Sequence, residues 1–313
     1  MEKTISQKLK DILISAAWTQ EELARNLGTT QKTVNLWINE RSSPHFRHIQ
    51  KIDLLYFDII GYAQIEFSIL SKQKNGAISK GINVAKIVSD KEILDALTLH
   101  LTYHTNTIEG STMTLADVQE ILSDDNKVLS NKTAREQIEA KNHRSALYFL
   151  LDQLNAKKDT FFWTKELILE IHLRLMNSII SNAGAFRNHG ARIASSRVVL
   201  ANYVKIPRLI EEFIESLNTP TKDLIRFLAQ THSTFEKIHP FSDGNGRTGR
   251  LILFISALQY GVIPPLVLKE KKHAYYKYLE IAQTEEKFEL LEMFMAESII
   301  SAYELIKNRL ITE

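Results

Sequence analysis

The residues best suited to chemistry lie together between His239 and Arg250. Within twelve positions the sequence supplies one histidine, one aspartate, three glycines, one asparagine and two arginines. Glycines let backbone N–H groups approach an anion closely, and arginines bind phosphate oxygens. An aspartate can hold Mg²⁺ together with substrate phosphates, and a histidine can accept a proton near neutral pH. This composition predicts a polyphosphate site with a general base beside it.

The string His-Pro-Phe-Ser-Asp-Gly-Asn-Gly-Arg-Thr-Gly-Arg at residues 239–250 resembles the catalytic signature of the Fic family. That signature reads His-x-Phe-x-(Asp/Glu)-Gly-Asn-(Gly/Lys)-Arg-x-x-Arg, and every specified position is filled here, which makes the match specific. The resemblance implies transfer of AMP from ATP to a Ser, Thr or Tyr hydroxyl of a target protein. A glycine-rich turn between two helices, with incidental surface arginines, is the alternative interpretation.

The resemblance also implies a role for each residue of the signature. His239 would be the general base, and Phe241 would anchor the loop in the core. Asp243 would bind a Mg²⁺ that bridges the α- and β-phosphates. The phosphates themselves would be held by Gly244, Asn245, Gly246, Arg247 and Arg250. Such roles depend on positioning and charge neutralisation, as phosphoryl transfer generally does.

A second motif lies upstream, where residues 105–110 read Thr-Asn-Thr-Ile-Glu-Gly. Thr105 and Glu109 are four residues apart, so they share one face of a helix, and Gly110 fits the C-cap position. The run resembles the inhibitory pattern of Fic proteins, (Ser/Thr)-x-x-x-Glu-(Gly/Asn), in its class II arrangement. The resemblance implies an inhibitory helix near residues 100–110, whose Glu109 pairs with Arg250 and blocks the γ-phosphate.

Two further segments resemble the family more loosely. Residues 190–206 are similar to its flap, a short β-hairpin that pairs with the target segment through main-chain hydrogen bonds. A surface loop without a target role is the alternative. We expect nucleotide contacts from Ile193 and Ala194 in this segment, and from Tyr276 and Gln283 near the adenine. Packing of the tyrosine in a helix core is an equally good interpretation.

The first 60 residues predict a separate small helical domain. Thr19 and Glu22 fit a capping box, Gly28 fits the end of that helix, and a second helix is predicted over residues 31–38. The pattern resembles the XRE/Cro-type repressor family. The resemblance implies DNA contacts from Gln31, Lys32, Thr33 and Asn35. An interaction domain without DNA binding is the alternative, because residues 1–50 carry seven basic side chains against five acidic ones.

The elements that must position the signature are helices. Apolar residues recur at helical spacing over residues 224–238, which lead into His239, and over residues 251–258. The signature is therefore predicted to be a loop whose last residues reach a helix N-terminus, where free N–H groups favour phosphate. We expect a mainly α fold, with a helix-turn-helix domain at 1–60, a linker at 61–81 and an all-helical Fic domain with its hairpin flap at 82–313.

Composition limits the other functions. The chain has 313 residues, no cysteine and a net charge of +2. Disulfides, Cys-ligated zinc and thiol nucleophiles are thereby excluded. No apolar stretch approaches the roughly 18–20 residues of a membrane span, and the N-terminus lacks a secretory pattern, so we expect a cytoplasmic protein without a membrane partner. ATP as substrate and Mg²⁺ are the expected ligands, and a homodimer is left open.

Three functional alternatives remain at this stage. The same site could remove AMP from a modified protein, with Glu109 orienting a water molecule. Another donor, such as UTP or a phosphocholine conjugate, could replace ATP. Finally, the chain could be a DNA-binding regulator whose Fic fold senses a nucleotide or acts as a toxin-like effector.

Overall fold

The computed structural model describes residues 3–59, 67–124, 126–157, 160–193 and 196–310. These residues are mainly α-helical, as predicted, and none of them forms a sheet. A single isolated antiparallel bridge joins Gly81 and Val262. No helix among them is both long and apolar enough to cross a membrane. The chain divides into two compact units, Met1–Ile69 and Leu70–Glu313.

The first unit is a bundle of short helices around its own core. Its helices are α1 (Ile5–Ala16), α2 (Gln20–Leu27), α3 (Gln31–Ile38) and α4 (Phe46–Ile59). The predicted capping box of Thr19 and Glu22 is confirmed, and Gly28 ends α2 in the left-handed conformation with φ 68°. The predicted second helix is confirmed as α3. The core is formed by buried apolar residues from all four helices, including Leu9, Leu23, Val34, Trp37 and Ile52.

The second unit is also helical. Its helices are α5 (Phe67–Ile78), α6 (Val84–Ser89), α7 (Lys91–Ile108), α8 (Leu115–Ser123), α9 (Ala134–Lys157), α10 (Lys165–Met176), α11 (Ile206–Asn218), α12 (Leu224–Ile238), α13 (Asn245–Gln259), α14 (Lys272–Glu285) and α15 (Glu289–Leu310). Helix α13 lies at the centre, because nearly all of its residues are buried and it packs against α7, α9, α10 and α12. A helix buried on every side belongs to the core of a large domain.

The segment expected to be a linker, residues 61–81, differs from the prediction over its described part. Residues 67–78 form α5, and Leu70 and Ala77 are buried. The polar composition that indicated a linker has another cause. Lys74 Nζ lies 2.5 Å from Asp223 and 2.6 Å from Glu292, and so binds both carboxylates. Residues 60–66 lie outside the described part of the chain.

The β-hairpin expected within residues 190–206 is absent from the described residues of that segment. Ala201 N instead donates to Lys237 O at 3.2 Å, and Ser196 Oγ donates to Glu280 at 2.9 Å. These groups are thus bonded to residues of α12 and α14 rather than to a neighbouring strand. The name flap segment is kept below for residues 190–206.

Candidate active site

His239 follows the last turn of α12 and begins the signature loop. Its backbone is left-handed, with φ 50°, and its N–H closes α12 by donating to Phe235 O at 2.9 Å. The ring Nδ1 lies 3.2 Å from the carbonyl oxygen of Glu236. Because a carbonyl only accepts, Nδ1 carries the hydrogen and Nε2 keeps its lone pair. Burial lowers the pKa of His239, so the ring is neutral and able to accept a proton at pH 7.

The loop after His239 is anchored by Phe241, which is fully buried. Its ring stacks on His172 of α10, with 3.6 Å between centroids and 1° between planes. His172 Nδ1 accepts from Gly184 N at 2.9 Å, which leaves Nε2 to donate to Asp243 O at 3.0 Å. Burial lowers the pKa of His172 to about 4 and keeps it neutral. This residue escaped the sequence analysis, because its only signal is a histidine within an apolar helical stripe.

The side chain of Asn245 forms hydrogen bonds within the signature loop itself. Its Oδ1 accepts from Phe241 N at 2.8 Å, and its Nδ2 donates to Phe241 O at 2.9 Å. The carboxamide is buried and fully occupied in closing the loop. The carboxamide therefore shapes the loop that presents the N–H groups, and a phosphate contact by Asn245 stays a prediction.

Helix α13 begins at Asn245, six residues earlier than the predicted helix at Leu251. Gly244 precedes it with φ 80°, and a Cβ there would lie 2.6 Å from Met176 Sδ, so only glycine fits. A Cβ on Gly246 would collide with the carboxylate of Glu109. The free N–H groups of this first turn form a site suited to anions, and the Glu109 carboxylate now lies against it.

Arg250 is held by the end of α7. It is only 7% exposed; its Nε donates to Thr105 Oγ1 at 2.5 Å and its Nη2 to Glu109 Oε1 at 2.5 Å. The structure thus brings together the three residues that the two motifs supplied. The helix cap is Glu109 itself, one residue earlier than the expected cap at Gly110, and Gly110 follows it with φ 106°. Lys272 Nζ donates to Ile108 O and also binds this helix end.

Arg247 belongs to an ion network that the motifs did not reveal. Its Nη1 lies 3.0 Å from Glu139 of α9, and its Nη2 lies 3.5 Å from Asp243. Arg135, also on α9, binds Glu139 at 3.0 Å and Asp243 Oδ2 at 2.8 Å. The i, i+4 spacing of Arg135 and Glu139 was visible in the sequence, but nothing there connects them with residues 243–247.

Asp243 suits a magnesium ion that is shared with a phosphate. Its carboxylate is 42% exposed. No group of three or more His, Cys, Asp or Glu ligands occurs in the described part of the chain. Mg²⁺ needs no such group when one carboxylate, substrate phosphates and water complete its octahedron. A hard oxygen ligand beside a phosphate-binding helix end therefore fits this ion.

The residues expected to contact the nucleotide lie in different surroundings. Tyr276 is 41% exposed and stands beside Lys272, whose Nζ lies 5.7 Å from the ring centre. Gln283 is buried and donates to Ser233 O at 3.0 Å, so it connects α14 to α12. Ile193 is half-buried in the flap segment, and Ala194 lies outside the described residues.

A second carboxyl group lies beneath the site. Glu236 is 6% exposed, its Oε1 has no hydrogen-bond partner among the described residues, and a Cβ on Gly249 would lie 2.5 Å from that oxygen. Burial raises the pKa of Glu236 to about 7; the charge of Glu109 adds to this rise and that of Arg250 opposes it. Its neighbour His232 is also buried, with Nε2 2.6 Å from the hydroxyl of Tyr275.

These features define a class of site: a helix N-terminus and two buried arginines that suit a polyphosphate, with a neutral histidine base beside them. Residues 162–257 match the Fic/DOC family, and residues 9–56 match the helix-turn-helix family. The chain therefore contains a Fic/DOC domain, preceded by a helix-turn-helix domain.

Among known proteins, the protein adenylyltransferase Fic of Aedes aegypti is 32% identical over 221 residues, covering 67% of this chain and 42% of that protein. The protein adenylyltransferase fic-1 of Caenorhabditis elegans is 33% identical over 184 residues, covering 58% of this chain and 35% of that protein. The chain thus spans less than half the length of these relatives.

Two solved structures share the fold. A Fic-1 structure from C. elegans superposes with a TM-score of 0.68 at 20% identity, covering 97% of this chain and all of that one. A Fic domain containing signaling protein from Bacteroides thetaiotaomicron gives a TM-score of 0.61 at 18% identity, covering 77% of this chain and 97% of that one. At these identities the likeness concerns the fold alone.

The buried carboxyl of Glu236 leads to a pH-dependent prediction. Its folded pKa of about 7 exceeds the ordinary value of 4.5, so its stabilising contribution is complete below pH 4.5 and is lost as pH rises through 7. Glu236→Gln keeps the shape and cannot ionise. The free energy of unfolding of this variant, minus that of wild type, should increase by about 1–3 kcal/mol from pH 5 to pH 8. Urea unfolding at both pH values measures this; Glu211→Gln, an exposed change, is the control. A pH-independent difference would contradict the prediction.

Proposed function

We propose that the protein is a protein adenylyltransferase, which transfers AMP from ATP to a Ser, Thr or Tyr hydroxyl of a target protein. The observation that carries the proposal is the free Nε2 of neutral His239 beside the N-terminus of α13. Two buried arginines, Arg247 and Arg250, emerge from the first turns of the same helix. The relatives named protein adenylyltransferase Fic support the same activity.

The reaction follows from the positions of these groups. His239 Nε2 accepts the proton of the target hydroxyl, whose oxygen then attacks the α-phosphorus of ATP. The bond from the α-phosphorus to the bridging oxygen breaks, AMP remains on the target, and diphosphate leaves. Arg247 and the N–H groups of α13 bind the charge of the diphosphate, and Arg250 binds the γ-phosphate. Mg²⁺, held by Asp243 when bound, would supply further charge neutralisation.

We propose that Glu109 is an internal brake on this reaction. Its carboxylate pairs with the guanidinium of Arg250, which the γ-phosphate would otherwise bind. The same carboxylate lies against Gly246 at the start of α13. A tenfold reduction of the competent state requires only about 1.4 kcal/mol, which one desolvated ion pair can supply. The activity of the wild-type protein is therefore expected to be low until α7 shifts.

Glu109→Gly should increase AMP transfer by about tenfold or more, because Arg250 becomes available to the γ-phosphate. The measurement is incorporation of label from α-³²P-ATP with Mg²⁺ into the protein itself or a target. His239→Ala in the same background should abolish the label, since no base remains. Equal labelling of wild type and Glu109→Gly would refute the brake. Label that persists without His239 would refute its role as base.

The same site also suits removal of AMP, because Glu109 is partly exposed and its charge acts on His239. A water molecule oriented by Glu109 would then attack the phosphorus in place of a hydroxyl. Release of AMP from a labelled target by wild type, but not by Glu109→Gly, would favour this direction.

We further propose that the N-terminal domain binds DNA through the first turns of α3. Gln31, Lys32 and Asn35 are exposed there, which suits contacts to bases and phosphates. Thr33 is less available, because it lies 2.8 Å from Thr30 Oγ1 at the helix cap. The family match over residues 9–56 supports this proposal.

Selection from a pool of random-sequence duplexes would test DNA binding directly. We expect enrichment of a specific site, and Lys32→Ala should weaken its binding by about 1–3 kcal/mol, measured by fluorescence anisotropy. Lys10→Ala is the matched control, because it removes the same charge from an exposed position on α1. Absence of any enriched site, or an equal loss in both variants, would contradict the proposal.

A further inference from the structure

We propose that Arg135 competes with the divalent cation for the carboxylate of Asp243, and thereby sets the Mg²⁺ concentration at which the protein binds a nucleotide. The inference rests on the proposed function, because it takes Asp243 to hold Mg²⁺ together with ATP. Neither sequence motif includes Arg135, which reaches the signature loop from the first turn of α9.

Both oxygens of Asp243 are already engaged. Oδ1 accepts from Gly244 N at 2.6 Å and lies 3.5 Å from Arg247 Nη2. Oδ2 accepts from Arg135 Nη2 at 2.8 Å. Arg135 is in turn oriented by Glu139, 3.0 Å from its Nε. Each oxygen keeps a second lone pair, but a cation placed there must either share the oxygen with these donors or displace one of them.

The three donors differ in how readily they can leave. Gly244 N–H is fixed by the turn into α13, and Arg247 is 3% exposed and bound to Glu139. The side chain of Arg135 is 57% exposed, so water can solvate its guanidinium when it leaves. Arg135 is thus the donor that gives way, and its positive charge opposes a cation for as long as it stays.

Cation binding at Asp243 is consequently an exchange of one positive charge for another. The exchange favours Mg²⁺ only when substrate phosphates supply further ligands, because a single carboxylate holds this ion weakly. Arg135 would therefore restrict Mg²⁺ binding to the nucleotide complex. A different role, in which Arg135 itself binds a phosphate, predicts the opposite effect of its removal.

The test measures binding of a fluorescent, non-hydrolysable ATP analogue to the full chain as Mg²⁺ is increased. The parent is Glu109→Gly, in which Arg250 is free. Adding Arg135→Gln should lower the half-saturating Mg²⁺ concentration by about threefold or more, because the competing charge is gone. Arg135→Lys, which retains that charge, should stay close to the parent. Mn²⁺ paramagnetic resonance would report the same shift on the cation directly.

Arg208→Gln is the matched control, because Arg208 is also exposed and paired with a glutamate four residues later, Glu212, on α11. Its Mg²⁺ midpoint should equal that of the parent. An unchanged Mg²⁺ midpoint for Arg135→Gln would overturn the inference. A higher midpoint, or weaker binding of the analogue in EDTA, would also overturn it, because either result indicates that Arg135 itself binds a phosphate. If the parent binds analogue and transfers AMP, such a result leaves the proposed function standing. No binding by any variant would overturn both.

Discussion

The ion pair between Arg250 and Glu109 is the interaction on which the account of this site depends. Burying a guanidinium without a partner is costly, so Arg250 must have an anion beside it. The fold offers two: the carboxylate at the end of α7, or a phosphate bound at the start of α13. Helix α13 is buried on nearly every side and cannot move away. On the proposed function, regulation depends on which of these two anions pairs with the guanidinium of Arg250.

The remainder of the loop is held by contacts within the protein itself. Phe241 stacks on His172, Asn245 closes the turn, and the Glu236 carbonyl sets the tautomer of His239. On the proposed function, these contacts hold His239 in the tautomer that can act as a base, which is how an enzyme avoids reorganisation during the reaction. On the proposals made above, two contacts must break before the site is competent: Glu109 with Arg250, and Arg135 with Asp243.

Sequence reasoning succeeded where the information is local. The capping box of α2, the bounds of α3 and α12, and the face shared by Thr105 and Glu109 follow from spacing within a few residues. It failed where contacts join distant positions. A polar stretch resembled a linker until Lys74 was found between two carboxylates, and nothing in the sequence showed that the amide of Asn245 would close its own loop. Glu139 and Arg135 lie more than one hundred residues before the loop they contact.

The most direct test of the central claim is calorimetric titration of ATP and of ADP, with Mg²⁺, into wild type and Glu109→Gly. ADP lacks the γ-phosphate that Arg250 would bind, so the ratio of the two affinities reports on the contacts of that phosphate. The account predicts that the preference for ATP over ADP rises by about tenfold when Glu109 is removed. The same ratio in both proteins would show that Glu109 does not keep Arg250 from the nucleotide.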